Sequence, residues 1–125
     1  MKRLLAFPTL ILLTATSQDV GRITQSGVSA GVLHSCGVTT AGAAYCWGLN
    51  DGGRLGDGTN TASNVPVAVA GGITFQSVSP GGDHSCGVTT AGTAYCWGLN
   101  DDGELADGTD PAKSVPVLVD LIFGP

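Results

Sequence analysis

Charge is scarce in this sequence. Only 12% of its 125 residues are Asp, Glu, Lys or Arg, about half the share of an ordinary soluble domain. Five are basic and ten acidic, for a net charge of -5. Binding to nucleic acid or to an anionic membrane face requires clustered Lys and Arg, so neither partner is expected. Aromatic residues make up 6% and there is one Met. The longest apolar run, near the N-terminus, covers about ten residues and is too short to span a bilayer. Helical periodicity is absent, and so is the glycine triplet of collagen. There is no Gly-Lys-Ser/Thr loop to cradle phosphate and no serine elbow. No nucleophile–base set is visible, so no enzymatic activity and no cofactor are expected. Neither Asn60-Thr61-Ala62 nor Asn64-Val65-Pro66 is a glycosylation acceptor.

Glycine, by contrast, is abundant, at 20 residues, and hydrophobic residues reach 42%. That combination favours short strands and tight turns over disorder or long helices. The first residues differ from the rest. Lys2 and Arg3 precede Leu4, Leu5, Ala6 and Phe7, then Leu10 to Leu13, then the small residues Thr14 to Ser17. A basic start, a short apolar run and a small-residue exit read as a secretory signal peptide over 1–17, with the product secreted, periplasmic or on the cell surface. A buried hydrophobic terminus, or a chance start on a gene fragment, would read the same way.

The remainder is a duplication. Residues 21–70 and 71–120 align without a gap, and between 28–69 and 78–119 about 30 of about 42 positions are identical. Each copy predicts four short strands. In the second copy Phe75 to Ser79 ends at Pro80-Gly81-Gly82. His84 to Thr89 and Ala94 to Gly98 flank Thr90-Ala91-Gly92, and Val115 to Val119 follows a Gly/Asp-rich connection over Asn100 to Thr109. Pro116 suits an edge strand. Four strands at a period near 50 are the signature of a propeller blade.

The cysteines follow from that register. If Gly42 closes a three-residue hairpin loop, Thr39 opposes Ala43 and Cys36 opposes Cys46. Cys86 and Cys96 face each other in the same way. That cross-strand site brings Cα atoms to about 4.5 Å, at the near end of disulfide geometry. Four cysteines allow three pairings; repeat symmetry and export favour Cys36–Cys46 and Cys86–Cys96. Two other readings compete. His34, Cys36 and Cys46 share a face and offer zinc-type ligands, without the close cysteine spacing usual for zinc; free buried thiols are the third possibility. The loops Asn50 to Thr59 and Asn100 to Thr109 are rich in Asp, Asn and Gly. They read as turn chemistry rather than a calcium loop, because the late Glu of a calcium hand is missing. Leu55 and Leu105 are expected to plug these loops into the blade core. Trp47 and Trp97 are expected as core anchors, and His34 and His84 as hydrogen-bonded structural residues. No metal site is expected.

The string Val-Ser-x-Gly-x-x-His-Ser-Cys-Gly-Val-Thr-Thr-x-Gly-x-x-Tyr-Cys-Trp-Gly-x-Asn-x-x-Gly-x-Leu-x-Asp-Gly-Thr, ending in Val-Pro-Val, resembles the regulator of chromosome condensation repeat. It occurs twice and covers 21–120. Its cysteine-bearing form behind a signal peptide is similar to a secreted bacterial branch. The resemblance implies an all-β fold: two four-stranded antiparallel blades of a β-propeller that normally has seven, an incomplete ring. The family motif falls on Gly31, His34, Trp47, Gly48, Asn50, Gly53 and Leu55, and on Gly81, His84, Trp97, Gly98, Asn100, Gly103 and Leu105, all as scaffold positions. The implied function is a non-enzymatic protein-binding scaffold, or a fragment of one, with an unknown protein partner. A structural or surface-array segment without specific ligand is the alternative. Guanine-nucleotide exchange enters only through the family's namesake. Two blades in place of seven imply a remnant of a longer gene, a head-to-tail homo-oligomer, or a unit held by its disulfides. The apolar tail at 121–125, where a third repeat would begin, favours the first.

Overall fold

A computed structural model of the chain describes residues 22–109 and 111–119. The segment read as a signal peptide and the tail at 121–125 lie outside the described residues. Within them the chain folds into two four-stranded antiparallel sheets. The first holds β1 (Ile23–Ala30), β2 (His34–Thr39), β3 (Ala44–Gly48) and β4 (Ser63–Ala68). The second holds β5 (Phe75–Pro80), β6 (His84–Thr89), β7 (Ala94–Gly98) and β8 (Lys113–Leu118). Each is a simple meander in which every strand pairs with its sequence neighbours. Pro66 and Pro116 fall on the edge strands β4 and β8, where a missing N–H costs least.

The hairpin between β2 and β3 sets the register of the first sheet. Thr39 N–H donates to the Ala43 carbonyl at 2.9 Å, and Gly42 N–H donates back to Thr39 at 2.9 Å. Gly42 sits at φ +88° and Gly92, its twin, at +89°. That left-handed residue after a tight turn is what a three-residue loop needs, and glycine reaches it without a Cβ clash. Counting outward, Cys36 faces Cys46 and Cys86 faces Cys96. The Cα atoms are 4.0 Å apart in both pairs and the sulfurs are bonded. The thiols are therefore unavailable as zinc ligands. The last strand differs from the sequence reading. Its pairing begins at Lys113, opposite Gly98, and ends at Leu118. An irregularity between Cys96 and Gly98, with Gly98 at φ +112°, starts the strand early.

The two sheets share one core. Cys36, Val38, Ala44, Cys46 and Leu55 from the first repeat bury against Phe75, Val78 and Trp97 from the second. Phe75 lies 5.8 Å from the Trp97 ring centre and meets Tyr95 edge-on at 6.3 Å, separations at which aromatic pairs attract. Backbone bonds cross the seam as well, from Val32 N–H to the Gly81 carbonyl (3.2 Å) and from Phe75 N–H to the Gly42 carbonyl (2.8 Å). Each sheet therefore has two unlike faces. Val38, on the seam, is 6% exposed, whereas its twin Val88 is 38% exposed on the outward side of the second sheet. Trp97 is fully buried, while Trp47 is only partly buried, on the outward side of the first. Trp97 lies in the shared core, whereas no sheet covers Trp47 among the described residues.

Gly56 is one of the positions at which the repeats differ. It has φ +74°, and a Cβ there would come within 2.6 Å of the Trp97 indole nitrogen. Its twin is Ala106, a non-glycine residue held at φ +53°. Gly56→Ala should therefore cost about 2 kcal/mol or more in chemical unfolding, through overpacking and left-handed strain. Ala106→Gly, which has only strain to relieve, should gain up to about 1 kcal/mol. Thiol titration of the native chain should find no free cysteine, and reduction should cost about 3 kcal/mol for each ten-residue loop opened.

Candidate functional site

The polar residues of the scaffold converge on one rim, at the turns joining β1 to β2 and β5 to β6. The connection after β3 feeds this rim and is organised by one amide. Asn50 is fully buried. Its Oδ1 accepts the Leu55 N–H at 2.9 Å, and its Nδ2 donates to the carbonyls of Thr59 (2.9 Å) and Thr61 (3.0 Å). Asn100 repeats the pattern with Leu105, Thr109 and Pro111. These bonds fold each connection into a knot and drive its leucine inward, so that Leu55 and Leu105 are both fully buried. Leu55, however, packs across the seam between the sheets, not solely within its own blade.

The same loops show where the acidic side chains go. Asp57 Oδ1 accepts from the N–H and hydroxyl of Thr59, and Asp107 does the same with Thr109. The Thr109 hydroxyl, more than any other contact, holds the Asp107 carboxyl below its usual range, and Lys113 lies 3.3 Å away. This is turn chemistry, with these oxygens already engaged.

At the seam, His34 and Ser85 meet. His34 is 3% exposed and Ser85 fully buried. Ser85 Oγ donates its one proton to the Arg54 carbonyl at 2.9 Å. His34 Nε2, 2.6 Å from Ser85 Oγ, must then be the donor of that bond. Nδ1 is left as a buried lone pair with no partner. The pair is thus wired opposite to a nucleophile and its base, in which the histidine accepts from the serine. Burial, followed by the positive charges of Arg54 and His84, pushes the His34 imidazole down to about 4, against a weaker pull from Asp83. Arg54 reaches across the seam, with Nη1 donating to the Gly82 carbonyl at 3.0 Å and Nε to the Asp51 carbonyl at 3.0 Å.

The glycines of the motif mark close approaches. A Cβ on Gly31 would strike the Gly81 carbonyl, one on Gly48 or Gly98 the first residue of the neighbouring strand, and one on Gly53 the backbone of Ser114. Gly81 lies against His84, while Gly103 faces open space. Of the motif residues, Gly31, His34, Gly53, Leu55 and Trp97 meet the other repeat across the seam. The exposed ends of that rim are Val32 and Leu33, 73% and 58% exposed. In the second repeat Gly82 and Asp83 stand there. On the opposite rim a cleft of about 300 Å³ lies between the hairpin loops, lined by residues such as Thr39, Gly42, Thr74, Gln76 and Thr90 and, among the described residues, by no titratable side chain.

Comparison with known proteins matches this architecture. The sequence model described as the regulator of chromosome condensation (RCC1) repeat fits residues 41–88, and a second model of the same description fits 25–54 and 75–104. The chain belongs to the regulator of chromosome condensation repeat family. The human and mouse E3 ubiquitin-protein ligase HERC2 are each 46% identical to it over 44 residues. Those residues are 35% of this chain and 1% of the ligase. Solved structures extend the likeness to the fold. Human WBSCR16 superposes with a TM-score of 0.72 at 28% identity, over 80% of this chain and 26% of that one. Prp20p of Saccharomyces cerevisiae, studied for its binding to Gsp1p and histones, gives 0.71 at 23% identity over 80% and 26%. The chain thus spans about a quarter of the length of these propellers, and the two sheets among its described residues do not close a ring.

Sequence reasoning placed the motif histidines as structural but gave no sign that Asp83 and Glu104 gather beside His84. The available signal was the set of positions where two otherwise alike repeats differ in charge.

The buried His34 imidazole makes the stability of the fold depend on pH. Its folded value lies below the ordinary 6.5, so the unfolded chain binds the extra proton first. This contribution is complete above pH 6.5 and is lost as pH falls through about 4. Chemical unfolding across that window should show a loss on the order of 1–2 kcal/mol, solvent screening included. His34→Gln should flatten the slope.

Proposed function

We propose that this chain is a non-enzymatic protein-binding scaffold that engages its partner through the rim carrying Val32 and Leu33. The observation behind this reading is their position. They are large apolar side chains exposed on a turn, in a pair of repeats whose remaining differences are few. Exposed apolar groups on a rigid turn are suited to anchoring a partner. The fold adds support, since relatives built on it include a protein studied for binding to Gsp1p and histones. Those partners belong to that protein. The acidic balance of this chain, -5 overall, fits a partner with a neutral or basic surface. Guanine-nucleotide exchange rests on the family's namesake alone, and no residue described above favours it.

The partner we propose is not a copy of this chain stacked as the second sheet stacks on the first. In that arrangement Ala106 would stand where Gly56 stands, with its methyl group directed at Trp47 of the copy. Glu104 would replace Arg54, whose guanidinium donates across the seam to a carbonyl. A carboxylate cannot donate that bond. We also propose export through the basic and apolar segment at 1–17, with repeats at 21–70 and 71–120. The two disulfides fit an oxidising compartment.

The test immobilises the oxidised chain and measures retention of proteins from the compartment to which it is exported. A protein retained saturably by the parent, and weakened about tenfold or more by Val32→Ser with Leu33→Ser at an unchanged melting temperature, is the expected result. Retention indifferent to those two substitutions overturns the rim assignment, and no saturable retention overturns the scaffold reading.

A further inference from the structure

His84 opens β6, with Asp83 immediately before it in the turn. Glu104 arrives at the same place from the connection after β7. One oxygen from each carboxylate and one imidazole nitrogen lie within 4.8 Å of one another, and all three residues are half-buried. Asp83 Oδ1 stands 3.7 Å from His84 Nδ1. That nitrogen is shielded from water and has no hydrogen-bond partner. Glu104 is held in place by Oε1, which accepts the Asp102 N–H at 3.0 Å.

The first repeat supplies a built-in control. Its equivalent positions carry Leu33, His34 and Arg54. There the imidazole is consumed by Ser85 and the guanidinium by carbonyls. In the second repeat the same backbone presents an aspartate in place of the leucine and a glutamate in place of the arginine. A cation has become an anion, and a second anion has been added, around an imidazole whose nitrogen is free. Arg54 lies on the same rim, and its Nε and Nη1 are taken up by carbonyls; no carboxylate among the described residues pairs with it.

We propose that Asp83, His84 and Glu104 form a binding site for a divalent transition-metal ion of the zinc type. One imidazole nitrogen and two carboxylates are three ligands that zinc accepts, leaving a fourth position for water or for a group on another molecule. The imidazole separates this donor set from the all-oxygen cages that calcium and magnesium favour. Metal bonds of about 2.0–2.2 Å require the three donor atoms to draw together from their present separations. Rotation of the long Glu104 side chain and of Asp83 in its turn supplies that movement.

The experiment titrates the full oxidised chain with zinc chloride in a non-chelating buffer at neutral pH, followed by calorimetry. One saturable equivalent is expected, together with a rise in melting temperature through linkage. Glu104→Arg and Asp83→Leu install the residues of the first repeat, which that backbone already accommodates, and His84→Gln removes the nitrogen ligand. Each should weaken zinc binding by about tenfold or more, with the metal-free melting temperature kept as the check on folding. Unchanged affinity in Glu104→Arg, absence of a saturable equivalent in the parent, or calcium bound as tightly as zinc would overturn the site.

Discussion

The carboxamide of Asn50, and of Asn100 in the second copy, is the constraint on which the rest of this molecule depends. It is fully buried, and it satisfies one backbone donor and two backbone acceptors that the glycine-rich connection would otherwise leave unpaired. Unpaired groups at that depth would cost on the order of 1–3 kcal/mol each. Because the amide gathers the connection into a knot, Leu55 is driven to the seam and Gly56 is laid flat against the Trp97 ring. Arg54 is left pointing across to the second sheet. A loop with few large side chains thereby becomes the wedge that joins two sheets.

How much of this could be read from sequence depended on whether local geometry or long-range packing decided the outcome. The hairpin register was legible, because a three-residue loop closing at Gly42 fixes every pair outward to Cys36 and Cys46. The all-β blade class was legible from strand spacing and duplication together. The extent of β8 was not, since its early start at Lys113 follows from the backbone of Gly98 and not from β propensity. Leu55 was read as a plug for its own blade. Periodicity carries no information about which neighbouring sheet a loop meets, so its place in the seam emerged only from the fold. Trp47 and Trp97 are identical in their local sequence and differ in burial for the same reason.

The candidate site was less legible still. His34 and His84 occupy the same place in the same motif, yet one is consumed by a serine of the next sheet and the other is flanked by carboxylates. Asp83 and Glu104 are separated by two strands and a hairpin, and only the blade brings them together. Val32 and Leu33 stand where the second copy has Gly82 and Asp83. Their exposure gives that divergence a physical meaning.

Both disulfides close inside a hairpin and neither crosses the seam. The consequence is for how the chain oxidises. Native partners are separated by 10 residues, whereas any cross-repeat pairing must close a segment several times longer. Chain statistics alone favour the short closure by about tenfold. Correct pairing is thus favoured by connectivity alone, and each repeat can complete its own covalent chemistry without a template from the other.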